Sequence, residues 1–349
     1  MTYRDPLTID RRAFLYLSLA GLAAPALSAP RLAFGDHHAG TDVQYRTLGR
    51  TGLKVSLLGY GSNRVGSPNT SQDDLDRMFH QAFDNGLNNI DTAPCYPDSE
   101  ARIGKSIRGK RDDLVLITKV GHTHDFRHRD NERIDSAEHA MGLVDQSLQR
   151  LGTDYLDVVL IHSLPLEMLR QGHSLEGLKR AQEQGKVRFI GYSGDADAGK
   201  YAVDSNEFDV LMTTISCVDQ QNIDLLMPKA IENNMGVMLK RPLANAIFRY
   251  ADRQQGGRRA YWDRREALDF DFFRDPARMA SGPDGAAGIM LRFAAMVEGV
   301  HTLSVGTMTR GRWASNNAIL NEGPLGDELY QHIRERWHEV AQPDWIGMT

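Results

Sequence analysis

The chain is poor in several things, and each shortage closes off a class of function. It has two cysteines in 349 residues, Cys95 and Cys217. That is too few for a disulfide framework even in an oxidising compartment, and isolated cysteines of this kind read as small buried apolar side chains. It has no excess of positive charge: 41 Lys and Arg against 46 Asp and Glu give a formal net charge of −5, the wrong sign for a nucleic-acid surface. The nearest basic run, Arg258-Arg259 with Arg264-Arg265, is broken by acidic and aromatic residues and reads as a solvated segment. No Gly-x-Gly-x-x-Gly turn follows the first strand, which argues against a Rossmann half. No spacing suits zinc: His122, His124 and His128 lie in one polar stretch without companion ligands and read as a loop cluster, so no metal is expected. No apolar run reaches the ~20 residues that a membrane helix needs.

What is present begins with a processing signal. Arg11-Arg12-Ala13-Phe14-Leu15 resembles the twin-arginine (Tat) export motif; an alanine-rich apolar run to about Leu27 follows, with small residues at Ala26 and Ser28. Paired arginines, apolar run and small-residue exit occur in the order of a leader. Residues 1–28 are therefore expected to be a signal peptide and 29–44 a linker. Export by the Tat machinery to the periplasm follows, with no stable membrane span after processing.

The rest of the chain alternates strand and helix signals. Tyr45–Ser56 reads as a hairpin around Gly49-Arg50-Thr51-Gly52. Strands follow at Val55–Leu58, Asn89–Thr92, Leu114–Thr118, Val158–Ile161, Phe189–Tyr192, Val210–Ile215, Val237–Leu239 and Thr302–Val305, each with a helical pattern behind it. Strands apolar on both faces and alternating with helices indicate a parallel sheet covered by helices. Eight units in residues 45–325 predict a closed α/β (β/α)8 TIM barrel with an N-terminal β-hairpin, leaving 326–349 as a C-terminal helix and tail. About forty residues, Asn245–Gly285, intervene between strand seven and its helix; a connection that long reads as a lid over the catalytic face.

Barrel enzymes carry their chemistry at the C-terminal ends of the strands. Strand two ends in Asp91 and leads within five residues to Tyr96, strand three ends in Lys119, strand four in His162 and strand five in Ser193. A carboxylate, a phenol, an amine and an imidazole would thus meet above one mouth. Singly each has a bland reading, as a cap, a surface lysine or a core histidine; their placement on successive strand ends is the signal. Such a set suits proton transfer to a carbonyl oxygen. A phenol near pKa 10 is a weak acid at neutrality, and an adjacent ammonium is expected to lower that value.

The motifs resemble the aldo-keto reductase family across almost all of residues 45–325. Leu48-Gly49-Arg50-Thr51-Gly52-Leu53-Lys54-Val55-Ser56 resembles its opening hairpin. Ile90-Asp91-Thr92-Ala93-Pro94-Cys95-Tyr96 followed by Ser99-Glu100 resembles its strongest signature. Thr118-Lys119, Leu160-Ile161-His162 and Ile190-Gly191-Tyr192-Ser193 occur in family order and spacing. The resemblance implies an oxidoreductase that interconverts aldehydes or ketones and alcohols by hydride transfer, with Tyr96 as proton donor and Asp91, Lys119 and His162 completing a tetrad. Its cofactor would be NADP, with NAD the alternative, and its partner a small carbonyl or alcohol substrate.

The cofactor contacts the resemblance implies are Gly61, Ser62 and Asn63 in the first turn, Ser193 and Met212 at the nicotinamide, Lys240, Arg241, Pro242 and Leu243 after strand seven, and Gly306, Thr307, Arg312 and Asn316 around the adenosine end. Arg312 is the expected partner of a 2′-phosphate. The chain departs from the family pattern where the usual Asn is Gly194, the usual Gln is Met212, and Lys240 stands where many members stack an aromatic ring. A second reading therefore stays open, a barrel that binds NADP without turnover and serves as a regulatory or partner-binding protein. Tyr60, His122, Trp262 and Phe272 are the candidate substrate-pocket residues.

Overall fold

The computed structural model describes residues 43–121, 134, 136–275 and 282–348. The leader, the first part of the linker and His122, His124 and His128 lie outside the described residues.

The chain opens as a two-stranded antiparallel ribbon, β1 (Tyr45–Thr47) and β2 (Lys54–Ser56). Gly49, at φ +47, lies so close to the backbone of residues 234–236 that a Cβ there would strike it. The ribbon is thereby pressed against the N-terminal end of the seventh barrel strand, at the bottom of the barrel. Strands and helices then alternate. β3 (Leu58–Gly61) leads to α1 (Gln72–Asp84), β4 (Asn89–Asp91) to α2 (Ser99–Ser106), and β5 (Val115–Val120) to α3 (Ala137–Leu151). β6 (Leu156–His162) is followed by α4 (Leu166–Gln171) and α5 (His173–Glu183), and β7 (Val187–Ser193) by α6 (Ala196–Ser205). β8 (Val210–Thr214) precedes α7 (Gln221–Leu225) and α8 (Met227–Glu232), while β9 (Gly236–Lys240) precedes α9 (Arg259–Leu268), α10 (Asp271–Arg274) and α11 (Ala286–Met296). β10 (Thr302–Val305), α12 (Arg312–Asn321) and α13 (Asp327–Val340) complete the order.

Strands β3 to β10 are all parallel and close on themselves, β10 pairing with both β9 and β3. This is the expected (β/α)8 barrel. Every residue of β5 and β8 is buried, as strands walled by helices outside and side chains inside must be. The helices form where apolar residues recur on one face. α1 buries Leu75, Met78, Phe79, Ala82 and Phe83, and its Ser71 cap accepts from the Asp74 N–H.

Two local readings are corrected. The first barrel strand begins at Leu58, not Val55, because Lys54–Ser56 pairs with β1 and the chain turns at Leu57. The single helices expected after strands four and six are each two pieces: Gly172, at φ +79, separates α4 from α5, and Pro228 opens α8. The segment after β9, read as a lid, carries two short helices, α9 and α10, among its described residues. Tyr261, Trp262, Leu268, Phe270, Phe272 and Phe273 form a buried apolar group on it, with Phe270 and Phe272 stacked at 5.1 Å.

Arg264 and Arg265, expected in solvent, are 3% and 7% exposed. Arg265 donates to the Tyr250 carbonyl at 2.8 Å and lies over the Trp262 ring at 4.5 Å; a planar guanidinium satisfies both demands where a solvated ammonium would not. Trp262 and Phe272 consequently belong to the packing of this segment, not to a pocket. Tyr60 is also core, its ring against Phe79 and its hydroxyl donating to the Thr307 carbonyl. At the bottom of the barrel Asp157, fully buried, accepts from the Leu116 N–H at 2.9 Å and pairs with Arg111 at 2.9 Å and Arg188 at 2.6 Å.

Candidate active site

The four expected residues meet at the C-terminal mouth. Asp91 ends β4, Lys119 lies near the end of β5 and His162 ends β6. The parallel register sets Asp91 beside Ile117, and Ile161 beside Val120, so neighbouring strand ends deliver their side chains to one level. Lys119 Nζ donates to Asp91 Oδ1 and, at 2.8 Å, to the Thr92 carbonyl. The ammonium lies 5.3 Å from the centre of the Tyr96 ring. Tyr96 stands edge-on to His162, ring centres 6.2 Å apart at 89°.

The residues after Asp91 are held by a small buried network. Ser99, on the first turn of α2, donates to Ser62, and its hydroxyl meets that of Thr92 at 3.0 Å. Glu100, 2% exposed, accepts from Thr118 at 2.6 Å and pairs with Arg150 at 2.5 Å. The Ser99-Glu100 pair thus ties the Tyr96 turn to β5 and α3.

The electrostatics differ in one respect from expectation. Burial pushes the Tyr96 phenol up, to about 12, although Lys119 pulls it down. The ammonium does act in the expected direction, but desolvation of a phenolate outweighs it. Lys119 itself is disfavoured as a cation by burial, yet Asp91 and Tyr96 more than compensate and hold it above its ordinary range. Two neighbours escaped sequence reasoning. Cys95 Sγ lies 3.6 Å from His162 Nδ1, and Ser304 Oγ donates to the second Asp91 oxygen at 3.4 Å. Neither residue type carries a signal by itself; only the barrel's closure brings β10 to β4's side. Both cysteines are free and buried. Among the described residues no group of three His, Cys, Asp or Glu is placed to hold a metal.

The expected cofactor residues ring the same mouth unevenly. Ser193 and Met212 are paired in register and both are buried. Gly194 has no room for a side chain, since a Cβ there would run into the Tyr192 ring; the missing amide and the large Tyr192 are one packing choice. Lys240 Nζ is 3.0 Å from Asp195 Oδ2. Arg241 adopts φ +55, and Pro242 and Leu243 follow it into the segment that leads to α9. Gly61 and Gly306 face each other closely enough that a Cβ on Gly306 would strike the Gly61 carbonyl. Ser62 is wholly buried and its hydroxyl accepts from Ser99, which props this turn; Asn63 beside it is exposed. On the β10 side, α12 starts at Gly311 with no side chain capping its first turn, Arg310 and Arg312 exposed on either side, Asn316 buried and Thr307 half-buried. A helix start without a side-chain cap and with two exposed arginines next to it can offer donors to phosphate oxygens, which is compatible with a dinucleotide. At the nicotinamide end Ser193 carries the hydroxyl, without the amides usual beside it.

The mouth has a cover of its own. Arg264 of α9 donates to the Ile346 carbonyl at 2.7 Å, the Gly347 N–H donates to Gln221, and the Met348 carbonyl accepts from Thr214 at 3.3 Å. The C-terminal tail is thus pinned between α9 and the end of β8.

Fold and site together define an oxidoreductase barrel of the nicotinamide-using kind. The chain belongs to the Aldo/keto reductase family, whose sequence profile matches residues 57–338. It is 32% identical over 223 residues to L-galactose dehydrogenase of Arabidopsis thaliana, spanning 60% of this chain and 68% of that one. It is 29% identical over 245 residues to the NADH-specific methylglyoxal reductase of Escherichia coli (strain K12), spanning 63% and 75%. The holo form of an aldo-keto reductase from Bacillus halodurans shares the fold, with a TM-score of 0.71 at 22% identity over 87% of this chain and 99% of that one.

Proposed function

We propose that the protein is an NADP(H)-dependent reductase of aldehydes or ketones, with Tyr96 as the proton donor. The observation that carries this reading is the meeting of Tyr96, His162 and the Lys119–Asp91 pair at one barrel mouth. The bound cofactor supplies the hydride. His162 holds the carbonyl oxygen beside the Tyr96 hydroxyl. As negative charge develops on that oxygen, Tyr96 gives up its proton, and the Lys119 ammonium stabilises the phenolate left behind. Asp91 keeps Lys119 charged and aimed. A phenol held up at about 12 stays protonated at neutrality and so carries the proton that reduction needs.

Gly306, Thr307, Arg312 and Asn316 would hold the adenosine end, with Arg312 on the 2′-phosphate. Ser193 would hold the nicotinamide amide. The resemblance of residues 11–28 to a twin-arginine leader supports the reading that the folded protein is exported to the periplasm with its cofactor already inserted. A periplasmic preparation that carries no extractable dinucleotide overturns that part.

Tyr96→Phe tests the chemistry. It is expected to lower kcat by about 10²–10⁴ while NADPH still binds with wild-type affinity, as read by protein fluorescence. The bare Gly194 and the thioether of Met212 favour the second reading, a barrel that binds cofactor without turnover. An unmutated protein that binds NADPH yet reduces no aldehyde or ketone in a broad panel would establish it.

A further inference from the structure

The backbone around His162 is fixed from both sides. His162 ends β6 in register with Ser193. The next residue, Ser163, takes φ +53, and its N–H donates to the Ser193 carbonyl at 2.7 Å. What the strand leaves open is the imidazole itself. It can turn over about its bond to Cβ, and it can carry its hydrogen on either nitrogen.

The connection from β4 to α2 meets that ring twice. The Tyr96 N–H donates to the Ala93 carbonyl at 3.1 Å and the Ser99 N–H to the Tyr96 carbonyl at 3.0 Å, so residues 93–99 form two successive tight turns. From them Tyr96 stands edge-on to the imidazole, while Cys95 Sγ lies 3.6 Å from Nδ1, within hydrogen-bond range for sulfur. Cys95 is 4% exposed. Burial pushes its thiol up to about 11, so the sulfur keeps its hydrogen at neutrality.

In a neutral imidazole one nitrogen donates and the other accepts, and the partner of one sets the role of the other. A thiol that donates to Nδ1 makes Nδ1 the acceptor and leaves the hydrogen on Nε2, across the ring from Cys95. The reverse bond, from Nδ1 to sulfur, would leave Nε2 a bare lone pair, which repels a carbonyl oxygen.

We infer that Cys95 is a positioning residue: its thiol donates to His162 Nδ1 and fixes the ring as the Nε2–H tautomer, which offers its hydrogen to the substrate carbonyl. This rests on the hydride-transfer reading above, but the tautomer can be read without turnover.

The full-length protein with NADPH is labelled with 15N-histidine, and the His162 ring is recorded at roughly pH 8, where an ordinary imidazole is neutral. The wild type is expected to show Nε2 protonated and Nδ1 bare. Cys95→Ala and Cys95→Val are expected to give a mixture of tautomers, and Cys95→Ser, which keeps a donor, to restore the single one. The kcat/KM for reduction of butanal should follow: about tenfold lower in the Ala and Val variants and close to wild type in Ser, with NADPH affinity unchanged in all three. Valine fills the space of the thiol and cannot donate; serine donates and fills less. Wild-type behaviour in Cys95→Val together with loss in Cys95→Ser makes the contact mere packing and overturns the inference. So does a wild-type ring protonated at Nδ1, or a tautomer that none of the substitutions moves. If no carbonyl is reduced but the tautomer still depends on a donor at position 95, the role of Cys95 stands and the reading of turnover falls.

Discussion

Lys240 reaches across the end of β8 to Asp195, Nζ 3.0 Å from Oδ2. Asp195 also accepts from Thr213 Oγ1 at 2.8 Å, the Thr214 N–H at 2.8 Å and Asn222 at 2.9 Å. Burial works against the carboxylate, but Lys240 and these donors outweigh it and hold Asp195 below its ordinary value. Three strand ends of the mouth are therefore tied by one ionised side chain. Asp195→Ala strands a buried ammonium and is expected to cost about 3–5 kcal/mol, measured by urea unfolding at neutral pH. Because the folded-state value is depressed, the contribution is present above the unfolded carboxylate value and is lost as pH falls through the folded one. The gap between wild type and variant should therefore close in acid.

In the proposed chemistry the phenol of Tyr96 sets the pH dependence. With its value pushed up to about 12, the donor stays protonated across the working range, so kcat/KM for reduction is expected to vary less than twofold between roughly pH 6 and 9. Alcohol oxidation needs the phenolate, whose fraction rises about tenfold per pH unit below its pKa. Its rate should climb over roughly pH 7 to 10 with no plateau. A plateau near neutrality would mean that Lys119 wins over desolvation.

Gly194 and Tyr192 share one volume. Gly194→Asn restores the family's amide but drives a Cβ into the Tyr192 ring. A loss of about 1–3 kcal/mol in stability is expected from overpacking. Combining it with Tyr192→Ala should relieve the clash, and thermal unfolding of the three variants reads the coupling.

Arg312, exposed at the start of α12, is the proposed partner of the 2′-phosphate. Arg312→Ala is expected to weaken NADPH about ten- to hundredfold by loss of a charge-assisted contact, while NADH binding changes little. Equal affinities for both dinucleotides in the wild type would remove the 2′-phosphate role.

Asp157 gives the opposite phenotype. It staples Arg111, Arg188 and the Leu116 N–H at the bottom of the barrel, remote from the mouth. Asp157→Ala is expected to cost about 3–5 kcal/mol of stability, while kcat of the protein that remains folded is unchanged.

The sequence by itself determined the barrel and the tetrad. Period-two and period-3.6 apolar patterns are local, and in a parallel barrel the C-terminal ends of all strands lie at one rim, so Asp91, Lys119 and His162 could be read as neighbours. It did not determine how strongly burial acts on Tyr96, because desolvation depends on everything packed around the ring. Only the tertiary structure brought Ser304 to Asp91 and Cys95 to His162, filled the space at Gly194 with Tyr192, and buried Arg264 and Arg265 of α9. Those relations join residues far apart in the chain, and no local pattern encodes which polar group will find a partner once water has been excluded.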